Sequence, residues 1–100
     1  LAVFTATRRQ HPELFLSENY VNTWGYALLA KGQKREAAGV FRLNAGLYPT
    51  SANTYDSLAE AYEATGEQEL AIKNYRRSLE LNPANDNAAE RLKKLGASGK

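Results

Sequence analysis

Three carboxylates, Asp56, Glu60 and Glu63, fall within two turns of a single helix if their stretch is helical. Thirty-four residues earlier, Asn22, Tyr26 and Leu29 occupy the corresponding places. An acidic strip of this kind attracts a cationic side chain, and an aromatic and aliphatic strip accepts an apolar one. The chemistry available is recognition. Like charges at this spacing repel by a few tenths of a kcal/mol per pair, a cost that an incoming cation would relieve.

Catalytic constellations are missing. The chain contains no Gly-x-Ser-x-Gly, no His-Glu-x-x-His and no glycine-rich phosphate loop. Its one histidine, His11, precedes Pro12, which favours an extended connector, and a catalytic base needs an orienting carboxylate and a nucleophile beside it. Metal ligands are few, with no cysteine and only Asp56 and Asp86 as aspartates. No enzyme activity and no cofactor are expected of this chain. Trp24 has the chemistry of a binding hot spot, but its register with Val21, Gly25 and Leu28 assigns it to a buried stripe.

Nucleic acid and membranes are not expected partners. The net charge is only +2, with six Lys/Arg against three Asp/Glu in residues 1–50 and seven against eight in residues 51–100. Arg42, Lys73, Arg76 and Arg77 are interrupted by Glu36, Glu69 and Glu80, so no continuous basic stripe forms. The longest apolar run, 24–30, is far too short to span a bilayer. Without cysteine the compartment is not readable; a soluble protein is expected, with the cytoplasm favoured by a small margin.

The elements that position these residues follow from a period of 34. Aligning 17–50 with 51–84 without gaps gives nine identical columns, among them Ala27/Ala61, Gly32/Gly66, Ala37/Ala71 and Pro49/Pro83. Unrelated segments of ordinary composition match at roughly two. Ser17, Ser51 and Asn85 are N-cap types spaced by 34. Gly32 and Gly66 end a first helix in each unit, and Pro49 and Pro83 stop a second. The stripes Val21-Trp24-Gly25-Leu28 and Tyr55-Leu58-Ala59-Tyr62 have helical spacing. On the second helices Ala37 and Ala71 admit a neighbouring helix, and the rings of Phe41 and Tyr75 fill the space beside them.

The expected fold is all-α: a short right-handed α-solenoid of two helix-turn-helix units, 17–50 and 51–84, with a flanking helix at each end. Residues 1–12 read as the second helix of a preceding partial unit, with Phe4 eight residues before Pro12 as Phe41 is before Pro49. Residues 85–95 read as a capping helix with Ala88, Ala89, Leu92 and Leu95 inward and a capping-box spacing at Asn87 and Glu90. Residues 96–100 read as a tail. The start at Leu1 and the lack of methionine suggest a piece of a longer protein.

These residues resemble the tetratricopeptide repeat. Tyr55, Leu58, Ala59, Tyr62, Gly66, Ala71, Tyr75, Ser78 and Pro83 stand where that family places its signature. The first unit matches with Val21, Trp24, Gly25, Leu28, Gly32, Ala37, Phe41 and Pro49, and departs at Leu28, where Tyr is usual, and at Asn44, where a small residue is usual. The resemblance implies that the first helices line a concave groove, so Asn22, Tyr26, Leu29, Asp56, Glu60 and Glu63 become the candidate partner-binding residues. The partner it implies is a basic or amphipathic protein segment. The family's clamp for a C-terminal carboxylate relies on Lys, Arg and Asn; here the matching side chains include Asn22, Tyr26, Ser57 and Glu60, and Glu60 would repel that ligand. Residues 17–29, 41–49 and 52–62 also resemble repeats appended to bacterial serine hydrolases of the esterase or β-lactamase-related kind. That implies an alternative role as an accessory region packed on a catalytic domain outside this chain. Self-association through Leu1, Val3 and Phe4 is a further expectation.

Overall fold

The computed structural model describes residues 17–96 and contains five helices there: α1 Glu18–Ala30, α2 Lys34–Leu47, α3 Ala52–Thr65, α4 Gln68–Leu81 and α5 Asp86–Lys94. Each packs on the next in the chain, and α1 also meets α3. The described residues are thus all-α, two helical hairpins followed by a single helix. The expected helix at 1–12, with the apolar residues proposed for self-association, and residues 97–100 of the expected tail lie outside the described residues.

The turns repeat to the hydrogen bond. After α1, Gly32 N–H donates to Leu29 O at 3.0 Å and Gln33 N–H to Leu28 O at 2.9 Å. After α3, Gly66 N–H donates to Glu63 O at 3.1 Å and Glu67 N–H to Tyr62 O at 2.9 Å. Both glycines have positive φ, 80° and 85°, the left-handed geometry that closes a helix C-terminus and disfavours a Cβ. The second helices end alike, with Tyr48 N–H on Asn44 O at 2.9 Å and Asn82 N–H on Ser78 O at 2.8 Å. α5 is only nine residues long, and Gly96, again at positive φ, closes it.

Two of the three expected caps form. Ser17 Oγ accepts from Tyr20 N–H at 3.1 Å, and Asn85 Oδ1 accepts from Ala88 N–H at 3.2 Å. Ser51 does not cap α3. Its side chain turns to the preceding hairpin instead, where the hydroxyl donates to Glu18 Oε2 at 2.6 Å in a charge-assisted bond. The capping box at Asn87 and Glu90 is also corrected. Asn85 is the cap, so Asn87 lies inside α5, where its amide donates to Asp56.

The main core runs from α2 through α5, and a smaller one joins α1 to α2. Ala37, Phe41, Ala59, Ala61, Ala71, Tyr75, Ala88 and Leu92 are fully buried in one cluster, while Val21 and Val40 form a second against Trp24, Leu28 and Leu47. Trp24 thus lies on the buried stripe. Ala89, expected inward, is exposed. Small residues set the spacing. A Cβ on Gly25 would lie 2.3 Å from the Phe41 ring, so α1 and α2 approach closely only because Gly25 has none.

Asn44, the departure from the family pattern, does the work of its repeat partner. Its amide donates to Glu18 O at 3.1 Å; 34 residues on, Ser78 Oγ donates to Ala52 O at 2.8 Å. Both ties join a second helix to the start of the first helix of its own hairpin.

Candidate functional site

The sequence brings Asn22, Tyr26 and Leu29 onto α1, and Asp56, Glu60 and Glu63 onto α3. Stacking the hairpins sets the two rows side by side. Ser57 Oγ donates to Asn22 Oδ1 at 2.6 Å. The Tyr26 hydroxyl donates to Glu60 Oε1 at 2.7 Å and lies 3.2 Å from Ser57 Oγ. The Tyr26 ring meets Phe41 edge-on, with centroids 5.0 Å apart and planes at 66°. Leu29 packs against the core. Tyr26 and Leu29 are therefore half-buried parts of the hairpin junction, less exposed than a free aromatic and aliphatic strip.

The carboxylates diverge. Asp56 accepts from Asn87 Nδ2 at 2.9 Å and from Asn85 Nδ2 at 3.2 Å. Glu63 pairs with Arg91, through Nη2 and through Nε at 3.0 Å, and accepts from the Tyr75 hydroxyl. Glu60 takes the neutral Tyr26 hydroxyl. Two of the three acids are therefore held by groups at or beyond the start of α5, and only Glu60 has no bonded amide or cation among the described residues.

Their proton affinities follow. Burial pushes the Glu60 carboxyl above its ordinary value, and the charges of Asp56 and Glu63 add to that; Tyr26 and Arg91 pull against it. Burial acts the same way on Glu63, but the Arg91 hydrogen bonds and charge, with help from Tyr75 and Lys94, outweigh it and leave this carboxyl low. Burial and the neighbouring carboxylates push the Tyr26 and Tyr75 phenols up, so both remain donors at neutral pH. Arg91 is stabilised as a cation by Glu63.

Glu60, Glu63, Asn87 and Arg91 line an open hollow of about 360 Å³. It offers acceptors and donors side by side. Among the described residues no group of three His, Cys, Asp or Glu side chains could hold a metal, and no helix is long and apolar enough to cross a membrane.

Ser57, a groove-facing side chain in the sequence, joins the site, and so do Tyr75, Asn85, Asn87 and Arg91, which were not among the expected site residues. A signal was present. Hydrogen-bonded pairs across successive first helices recur at separations near one repeat: 31 for Tyr26–Ser57 and Asn87–Asp56, 34 for Tyr26–Glu60, 35 for Ser57–Asn22. Extending that offset past Asp56 reaches Asn87. Arg91 escapes it, because its long side chain reaches along α3 to Glu63, 28 residues back.

Residues 52–85 match the family model of the tetratricopeptide repeat. This stretch is the second hairpin, α3 and α4, through the Asn85 cap. Tetratricopeptide repeats generally mediate protein–protein interaction and are typically non-catalytic. The first hairpin carries the same turns and the same buried tie between its helices 34 residues earlier. Among curated proteins none matches the chain.

Proposed function

We propose that this chain is a non-catalytic protein-interaction module whose first-helix face takes a basic or amphipathic peptide segment. The observation that carries this reading is Glu60. Asp56 and Glu63 are bonded by α5, its cap and Tyr75 of α4, while Glu60 opens on the hollow with a single neutral donor. A lysine or arginine of a partner supplies a bonded cation, which the described residues do not, and relieves the repulsion from Asp56 and Glu63. Asn22, Tyr26 and Leu29 flank that point, with the Asn22 amide nitrogen left to hydrogen-bond a peptide carbonyl. Tyr26 and Ser57 hold the arrangement in advance, which lowers the ordering cost of binding.

The test uses two labelled seven-residue peptides in fluorescence anisotropy. One has a central leucine with a lysine two residues to either side, in glycine and serine. The other carries glutamates in place of the lysines. The lysine peptide should bind the parent protein, and Glu60→Gln should weaken it by about five- to tenfold. The same affinity for Glu60→Gln, or no saturable binding of the lysine peptide, removes the reading. The alternative role, an accessory region of a serine hydrolase, rests on the sequence resemblance in 17–29, 41–49 and 52–62, and no contact in the described residues favours it.

A further inference from the structure

A second recessed surface lies on the opposite side, between the second helices of the two hairpins. Arg35, Ala38 and Arg42 of α2 face Leu70 of α4 across a hollow of about 380 Å³, with Tyr62 in its floor and Glu67 at its edge. Ala38 and Tyr62 are nearly closed to solvent, whereas Leu70 is one of two exposed large hydrophobic residues among those described, at 39 %. Neither guanidinium has an ion-pair or hydrogen-bond partner among the described residues. Glu67, the one acid that lines the hollow among the described residues, accepts the Thr65 hydroxyl at 2.7 Å.

The repeat accounts for Arg42, which recurs as Arg76, but not for Arg35 or Leu70. Shifted by 34 residues, Arg35 corresponds to Glu69 and Leu70 to Glu36. A scaffold requirement would recur in both units, as Ala37/Ala71 and Gly32/Gly66 do. Arg35 and Leu70 instead stand at one junction, on either side of a hollow of the size that takes a ligand side chain. The larger hollow along α4 lacks this character. Its charges alternate, and Arg77 there is already paired with Glu80 at 3.1 Å and lies over the Tyr55 ring.

We infer that the hollow between α2 and α4 is a docking site for an acidic peptide with one apolar side chain between two carboxylates. The apolar side chain enters against Ala38, Tyr62 and Leu70, and the carboxylates meet Arg35 and Arg42. These arginines are seven residues apart on one helix, about 10.5 Å along its axis. In an extended peptide, residues two to either side of a central apolar one point the same way and lie about 13 Å apart, a span that two flexible arginine side chains cover. This surface is separate from the first-helix face, so it does not depend on the proposal made for Glu60.

The glutamate peptide described above is the probe. It should bind the parent, weaken as salt is raised, and lose at least about tenfold in affinity in Arg35→Glu/Arg42→Glu. Leu70→Ser should weaken it while leaving circular dichroism unchanged, and Glu60→Gln should leave its affinity intact. Equal affinity in the double charge reversal, or no saturable binding by the parent at low salt, overturns the proposal. So does tighter binding of a single-stranded RNA oligonucleotide that is lost in the same double variant, which would make the surface a polyanion site. Loss of glutamate-peptide binding in Glu60→Gln would also overturn it, by moving that peptide to the other face.

Discussion

Gly25→Ala tests the packing that holds the first hairpin together. The added Cβ would stand 2.3, 2.6 and 2.7 Å from three carbons of the Phe41 ring, against an ordinary carbon contact of about 3.5–4.0 Å. Relief requires the ring or the helix to retreat by about 1 Å. The ring has little freedom to do so, because Phe41 is fully buried and its edge meets Tyr26, whose hydroxyl is held at Glu60. Overpacking of this kind costs about 1–3 kcal/mol, and the close contacts place it toward the upper end. Alanine recovers about 0.5–1 kcal/mol over glycine in a helix interior. The net expectation is a loss of about 1–2 kcal/mol, or a fall in Tm of about 4–16 °C for a domain of this size. Urea and thermal denaturation followed by circular dichroism read this directly. Gly39→Ala is the internal control: nothing lies within 4 Å of its Cβ, so it should stabilise by about 0.5–1 kcal/mol. Phe41→Leu should be less damaging in the Gly25→Ala background than in the parent. If Gly25→Ala melts at or above the parent, or if the two substitutions are additive, the close approach of α1 and α2 is not what the contact distances describe.

Two predictions concern the carboxylates. Arg91→Met keeps the aliphatic stem but strips Glu63 of its cation, and should destabilise by about 1–3 kcal/mol; a double-mutant cycle with Glu63→Gln that shows no coupling would refute the pairing. The pH dependence runs in opposite directions at the two glutamates. Glu63 is held below its ordinary value of 4.5, so its contribution is present above that pH and is lost as pH falls through the folded value. Glu60 is held above 4.5, so its charge opposes folding at neutral pH, and stability rises as pH falls toward 4.5. Glu60→Gln should therefore raise the neutral-pH unfolding free energy by about 1 kcal/mol or less and flatten that rise, and a lowered stability at neutral pH would contradict it.

The stability and binding effects of Glu60→Gln have opposite signs. A substitution that firms the fold and weakens the lysine peptide separates recognition from structure at one side chain. Such opposition is expected where a site retains an unfavourable charge for a partner to neutralise.

The sequence by itself determined the local architecture, because its signals act over a few residues. Glycine at positive φ closes α1 and α3, α2 and α4 end on the same backbone bonds, and the apolar stripes place Val21, Leu58, Phe41 and Tyr75 in the core. It also placed Asp56, Glu60 and Glu63 on one helix. Tertiary structure decided what those carboxylates became. Asp56 went to two asparagines, Glu63 to Arg91 and Tyr75, and Glu60 to Tyr26 alone, with partners drawn from α1, α4 and α5. The same is true of Ser51, a cap by residue type whose hydroxyl turned to Glu18 once the hairpins stacked. Periodicity fixes which face a side chain occupies. The free energy of a polar group depends on the acceptor or donor within about 3 Å, and side chains such as Arg91 reach across that distance in ways that a 34-residue spacing does not specify.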